Sequence, residues 1–166
     1  MVNDVELPGH DGPPVASGPH PITSPGRDGS WTGAVHWTAV RSILLVEGDT
    51  ETRRTLGDQL AELFPEARVL MTESGETGLE LARRTWPSVV LLDLALRGMG
   101  AFQFTARLRR LASGASVPIV GLIADGALDP LLQAEGAGFF GCLRKPVEPT
   151  PLTTMLRPLL ARPPVI

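Results

Sequence analysis

No histidine occurs after His36; the three present, His10, His20 and His36, all fall within the first forty residues. The rest of the 166-residue chain therefore offers no histidine base, nucleophile or metal ligand, which removes many enzyme mechanisms at once. Lysine is as scarce: of fifteen basic residues only Lys145 is a lysine. In a chain that otherwise uses arginine, a compact ammonium is a distinct choice, because a planar guanidinium does not replace a point charge at a small site. Chance is the rival explanation for any single residue. Cysteine is limited to Cys142, which excludes an intrachain disulfide and suits a reducing cytoplasm. No apolar run reaches membrane-spanning length, and no charged-then-apolar signal segment opens the chain. A net charge of −3 supplies no broad basic footprint for nucleic acid.

What is present is uneven along the chain. At 43% hydrophobic, the length allows one domain with a real core and is too short for two large ones. Residues 1–40 hold six Gly and six Pro, the level at which a segment without period reads as a disordered tail. Asp4, Glu6, Asp11 and Asp28 against the single base Arg27 place the whole net charge there, while the remainder balances at fourteen acids and fourteen bases. Trp31 and Trp37 break the tail's polarity and are read as docking residues or as a short binding motif. The spaced histidines are read as solvated, since no cysteine or close histidine pair accompanies them.

From Arg41 a regular alternation begins. Ser42–Val46 reads as a buried strand, followed by a helix with Leu56, Leu60, Leu63 and Phe64 on one face and Pro65 as its stop. Ala67–Met71 reads as a second strand; Ser74 caps a helix carrying Leu79, Ala82 and Trp86 inward, closed by Pro87. Val89-Val90-Leu91-Leu92 is apolar at every position, as in a strand covered on both faces of a parallel sheet, and Asp93 stands at its carboxyl end. A helix with Phe104, Leu108 and Leu111 inward comes next, then a strand at 117–123. A short helix at 128–135, a strand at 139–143 and a last helix from about Thr150, with Leu152, Leu156 and Leu159 inward, complete the pattern. Pro158 inside that helix removes a backbone donor and costs about 3 kcal/mol if the helix runs straight through, so a kink or an end is expected there.

Five strand-then-helix units with short connections predict a parallel sheet with helices on both faces, wound by right-handed crossovers. In such a sheet all carboxyl ends lie on one edge, the place where open α/β sheets bind ligands. That edge gathers Glu47, Gly48 and Asp49, then Asp93, then Ile123 and Ala124, and finally Lys145. Carboxylates on neighbouring strands beside an ammonium suit a small Mg²⁺ and phosphate site, since Mg²⁺ commonly takes one or two carboxylates plus a phosphate. Two bland readings stand beside this one: Asp93 as a residue capping the next turn, and Lys145 as the charge partner any buried acid needs.

The segments ILLVEGDTETRR at 43–54, PSVVLLDLALRGMGAF at 87–102, VPIVGLIA at 117–124 and GFFGCLRKP at 138–146 resemble the receiver domain of two-component response regulators, in the right order and at about the right separations. The resemblance runs from about Ser42 to Leu160, and the domain is placed at 41–162, with 163–166 as a C-terminal tail. It implies the flavodoxin-like, CheY-like doubly wound α/β fold with strand order 2-1-3-4-5. It also implies Asp93 as phosphoacceptor, Lys145 as the partner of Asp93 and of the phosphoryl oxygens, and Glu47 as the first of two acids holding Mg²⁺. A sensor histidine kinase or phosphotransfer protein would supply the phosphoryl group, and output would run through contacts with a downstream protein partner. Beyond Mg²⁺-dependent self-phosphorylation of Asp93, no enzyme activity is implied.

The chain departs from the family pattern at chosen places. The second metal-binding acid falls on Gly48, with Arg53 setting the register, and Asp49 is the candidate replacement through a loop shift. The hydroxyl residue at the end of the fourth strand is Ile123, and the aromatic switch residue of the fifth is Cys142. The proline four positions after the phosphoacceptor is Arg97, and the glycine beyond it is Ala101. An isoleucine offers a phosphate no hydrogen bond and sets apolar surface beside a charged group. The leading expectation is a stand-alone receiver in phosphorelay signalling. Its alternative is a phosphorylation-independent pseudo-receiver that binds a partner through the helices after the fourth and fifth strands. A flavodoxin-like cofactor binder is a third reading, poorly matched because GDTETRR has one glycine and two arginines where a hydroxyl- and Gly-rich phosphate loop would stand. Direct DNA binding is not expected, since Pro163-Pro164-Val165-Ile166 carries no recognition helix, and Arg107, Arg109 and Arg110 read as a solvated helix surface or one facing an acidic partner.

Overall fold

The computed structural model describes residues 41–111, 114–125 and 137–161. Five strands form one sheet in the order β2-β1-β3-β4-β5, every adjacent pair parallel. The strands are β1 (Ser42–Val46), β2 (Arg68–Thr72), β3 (Val89–Asp93), β4 (Ile119–Ile123) and β5 (Gly141–Arg144). Four α-helices are described with them: α1 (Thr50–Leu63), α2 (Gly75–Thr85), α3 (Ala101–Arg109) and α4 (Pro149–Ala161), with a 3₁₀ turn at Gly114–Ser116. The expected fold and strand order are those observed. The expected helix at 128–135 and the two tails, 1–40 and 163–166, lie outside the described residues.

The apolar runs explain the layering. All five residues of β1, β3 and β4 are buried, and their side chains alternate between two cores because strand residues point to opposite faces. Ile43, Leu45, Leu91 and Leu122 pack with Leu56 and Leu60 of α1 and Leu152 and Leu156 of α4. Leu44, Val46, Val90, Leu92 and Ile119 pack on the other face with Ala82, Phe104 and Leu108. Each such leucine contributes about 1.5–3 kcal/mol through burial, so the inner strands are the rigid frame on which the strand ends are mounted.

Several local expectations shift. β2 sits one residue later than predicted, β5 starts two residues later and ends one later, and β4 starts only at Ile119 because Val117 and Pro118 precede its ladder; a proline has no N–H to donate. Trp86 is not inward-facing: it is the left-handed C-cap of α2 (φ 46°) and 39% exposed. Nor does α4 end at Pro158; it continues to Ala161. Pro158 lies in the final turn on the exposed side, and burial of Leu159 and Leu160 offsets the single lost backbone bond. Arg109 corrects the reading of a solvated basic cluster, because its guanidinium is half-buried and donates to the carbonyls of Gly114 (2.8 Å), Val117 (2.6 Å) and Gly138 (3.2 Å). Burial lowers its pKa from the ordinary arginine value.

Candidate functional site

The parallel winding brings the carboxyl ends of β1, β3 and β5 to one rim. Glu47 follows directly on β1 and is fully buried; Asp93 ends β3 and is 4% exposed. Lys145 follows β5, held by a backbone bond from its N–H to the Ile123 carbonyl at 2.8 Å, and the next peptide, Lys145–Pro146, is cis. Its ammonium Nζ lies 2.9 Å from Asp93 Oδ1 and 2.7 Å from Glu47 Oε2. The three side chains that the sequence placed on separate strands therefore meet in one cluster. Lysine supplies what an arginine could not at this spot, a point charge bridging two carboxylates from different strands.

The remaining contacts orient the acids. Glu47 Oε1 accepts from the Asp49 N–H at 2.9 Å, and Asp93 Oδ1 accepts also from the Ala95 N–H at 3.0 Å. Glu47 Oε2 makes no hydrogen bond of good angle, so its 2.7 Å approach to Lys145 is chiefly an ionic contact. Burial raises the Glu47 pKa above the ordinary 4.5, only partly opposed by the Lys145 contact and the Asp49 N–H. For Lys145 burial pulls downward, but the hydrogen bond to Asp93, the close contact with Glu47 and the charges of both outweigh it and hold the ammonium above the ordinary 10.5. With all three ionised the cluster carries one net negative charge, a modest attraction for a cation.

Arg53, on the first turns of α1, reaches back to the same loop. Its Nη1 donates to the carbonyl of Glu47 at 2.8 Å and lies 3.4 Å from that of Gly48, and its guanidinium is 3.7 Å from Glu73 Oε2. Asp49 is otherwise engaged: its Oδ1 accepts from the Thr52 N–H at 2.8 Å as the N-cap of α1, and those bonds lower its pKa from the ordinary value. Gly48 is exposed. A Cβ at this position would lie 4.0 Å from Asp93 Oδ2 and 3.9 Å from both the Glu73 carbonyl and Leu96 Cδ2. That is ordinary contact, so the backbone leaves room for a side chain beside Asp93.

Ile123 and Cys142 share the α2/α3 face of the sheet, since Ile123 pairs with Arg144 and Gly121 with Cys142 and side chains alternate along a strand. Ile123 is 3% exposed. The space above Gly121 is taken by the Cys142 Sγ and by Leu94, which a Cβ at Gly121 would meet at 2.9 and 3.2 Å. A cleft of about 440 Å³ opens beside the cluster between α1 and the loops after β4 and β5, lined by Thr52, Leu56, Gln59, Asp125, Lys145 and Val147 among others. Among the described residues no group of three or more His, Cys, Asp or Glu side chains is arranged to hold a metal ion. The donor set at the rim is two hard carboxylates, Glu47 and Asp93, which suits Mg²⁺ in type and leaves its remaining positions to phosphate and water.

A parallel sheet of this order, with acids after β1 and β3 and a Lys-Pro after β5, defines the receiver class of signalling domains. The family model for the response regulator receiver domain matches residues 43–157, and the chain belongs to that family. It is 33% identical over 122 residues to the transcriptional regulatory protein AfsQ1 of Streptomyces coelicolor, covering 73% of this chain and 52% of that protein. It is 30% identical over 94 residues to protein PilH of Pseudomonas aeruginosa, covering 57% of this chain and 78% of PilH. Against the sensor histidine kinase RcsC of Salmonella typhimurium the match spans 11% of the kinase. Among solved structures, the receiver domain of the Pseudomonas aeruginosa sensor histidine kinase PA1611 superposes with a TM-score of 0.68 at 25% identity, covering 75% of this chain and all of that one; it holds a magnesium ion in its active-site cleft.

The role of the chain thus lies in phosphorelay signalling. Receiver domains are signalling modules rather than enzymes in general, they bind Mg²⁺ in the active site, and they interact with histidine kinases and phosphotransfer proteins. No helix among the described residues is long and apolar enough to cross a membrane. Sequence reasoning missed Arg53 as a clamp on the Glu47 carbonyl and Glu76 as the acceptor of the Met99 N–H. Arg53 could have been found from its i+6 spacing to Glu47, which returns a long side chain over the helix N-terminus.

Proposed function

We propose that Asp93 accepts a phosphoryl group from a histidine kinase or phosphotransfer protein, with Lys145 as its charge partner and Glu47 as the second acid of the site. The observation that carries this reading is the bridging ammonium, 2.9 Å from Asp93 and 2.7 Å from Glu47. In the transfer, an Asp93 oxygen forms the new P–O bond while the P–N bond of the donor phosphohistidine breaks, and the leaving imidazole nitrogen retains the electron pair and takes up a proton. Lys145, released from part of its contact with Asp93, turns its charge toward the phosphoryl oxygens; catalysis here is positioning and charge stabilisation. Glu47 and Asp93 would hold Mg²⁺, whose contribution is to neutralise phosphoryl charge. Asp49 is assigned to the helix cap and not to the metal, and Gly48 leaves the ion one carboxylate short, so the metal site is weak. Ile123 and Cys142 stand where a hydroxyl and an aromatic would couple phosphorylation to a switch. Output therefore runs through protein contacts with a reduced conformational response.

Incubation with acetyl phosphate and Mg²⁺, followed by intact-mass measurement of wild type and Asp93→Asn, tests the chemistry. A gain of one phosphate in wild type alone supports the proposal. No gain in wild type overturns it and leaves a phosphorylation-independent binding module.

A further inference from the structure

The loop from Leu94 to Gly100 follows Asp93, and with Arg97 in place of the expected proline it lacks a residue of fixed φ. Its near end is tied to the sheet: the Leu94 N–H donates to the Leu122 carbonyl at 3.0 Å and the Ala95 N–H to Asp93 Oδ1 at 3.0 Å. Its far end is held from α2. Glu76 Oε1 accepts from the Met99 N–H at 2.9 Å, across 23 residues of sequence. Two glycines permit that approach. A Cβ on Gly75 would lie 2.5 Å from the Met99 carbonyl oxygen, and Gly98 turns the loop at φ +73° beside the Glu76 carboxylate. The Met99 side chain, 6% exposed, is buried in the α2/α3 core, so the tether fixes a residue that is itself packed.

We infer that Glu76 is a positioning residue for the Asp93 pocket, acting through the Met99 N–H to hold the loop that supplies the Ala95 hydrogen bond. The inference rests on Asp93 being the phosphoacceptor, since it assigns the tether a role in shaping that pocket. A backbone N–H to a carboxylate is a charge-assisted bond, the stronger kind. Glu76 also lies in the first turn of α2, where a negative charge is favourable to the helix. Glutamine separates the two roles, because it keeps the carbonyl acceptor and loses the charge.

The test is amide hydrogen exchange, read by NMR on the whole chain, for wild type, Glu76→Ala and Glu76→Gln, alongside acetyl phosphate labelling rates. In Glu76→Ala the Met99 and Ala95 amides are expected to exchange about tenfold faster, with the buried Leu91 amide unchanged as a control for global unfolding. Labelling slows several-fold, and Glu76→Gln returns both measurements toward wild type. An Ala95 amide that exchanges at the wild-type rate in Glu76→Ala overturns the inference, as does a Glu76→Gln variant as fast as Glu76→Ala. Failure of the phosphoacceptor reading has a different signature, no mass gain in wild type, and the exchange measurements still decide whether Glu76 holds the pocket.

Discussion

Gly48→Asp puts a third carboxylate where the backbone already has room for it. The new Cβ meets nothing closer than 3.9 Å, and Asp93 Oδ2 is 4.0 Å from it, within reach of a carboxylate one bond further out. Gly48 is not among the positive-φ glycines, Gly98 and Gly138, so an L-residue enters without backbone strain. Two unit charges 4 Å apart interact by about 1 kcal/mol in water, so a carboxylate near a divalent ion gains about 2 kcal/mol at this exposed position. That converts to roughly 30-fold tighter Mg²⁺ binding. Without metal, the new acid repels Asp93 by about 1 kcal/mol. Loss of a flexible glycine from the unfolded chain returns about 0.4–1 kcal/mol, so thermal stability without Mg²⁺ should barely move. Titration calorimetry with MgCl₂ on wild type, Gly48→Asp and Asp49→Asn reads the outcome. Asp49→Asn keeps a good helix cap and should bind as wild type does. An affinity for Gly48→Asp within twofold of wild type, or a large loss in Asp49→Asn, refutes the assignment of these two positions.

Four further outcomes are expected. Lys145→Ala leaves Glu47 and Asp93 buried without their cation and should destabilise the fold by about 3 kcal/mol, read as a lower urea midpoint; adding Glu47→Gln should recover part of the loss, because one uncompensated charge is then gone. Since burial raises the Glu47 pKa above 4.5, the folded chain binds its proton more tightly than the unfolded one. The stability advantage of wild type over Glu47→Gln is therefore fully present below pH 4.5 and declines as pH rises through the raised value, which urea midpoints across pH 4–7, roughly the span about this pKa, will show or contradict. The Lys145 contribution has its window at the other end: it holds below pH 10.5 and is lost as pH climbs through the higher folded value. Finally, Ile123→Thr should lower stability by about 1–2 kcal/mol, because a buried alkyl group is exchanged for a hydroxyl. It should also tighten binding of a phosphoryl-mimicking beryllium fluoride complex with Mg²⁺ about fivefold through one added hydrogen bond. Unchanged affinity would remove Ile123 from the pocket.

The inner strands were legible because burial on both faces leaves an uninterrupted apolar run, as in Ile43–Val46 and Val89–Leu92, and no alternative element of that length explains it. The helix starts were legible for the same local reason, with Ser74 accepting from the Thr77 N–H as its position suggested. Trp86 was misread because helical spacing reports only which face a residue is on; the left-handed turn at the C-cap then rotates it out to solvent. The ends of β2 and β5 slipped because edge strands bury less and so carry a weaker pattern.

What the amino-acid pattern determined alone is the parallel sheet and its rim: five apolar runs with short connections give right-handed crossovers, which bring Glu47, Asp93 and Lys145 to a common edge, while the strand order came from the resemblance. What only the tertiary structure decided is how the polar groups around that edge are spent. Asp49 stands two residues from Glu47 yet caps α1, Arg109 leaves its helix surface to bind carbonyls up to 29 residues away, and Glu76 reaches Met99 across 23. The physical reason is that burial imposes a period the chain repeats at every turn or pleat. A hydrogen bond between distant segments is a single event of distance and angle, and it leaves no periodic trace in the residues that make it.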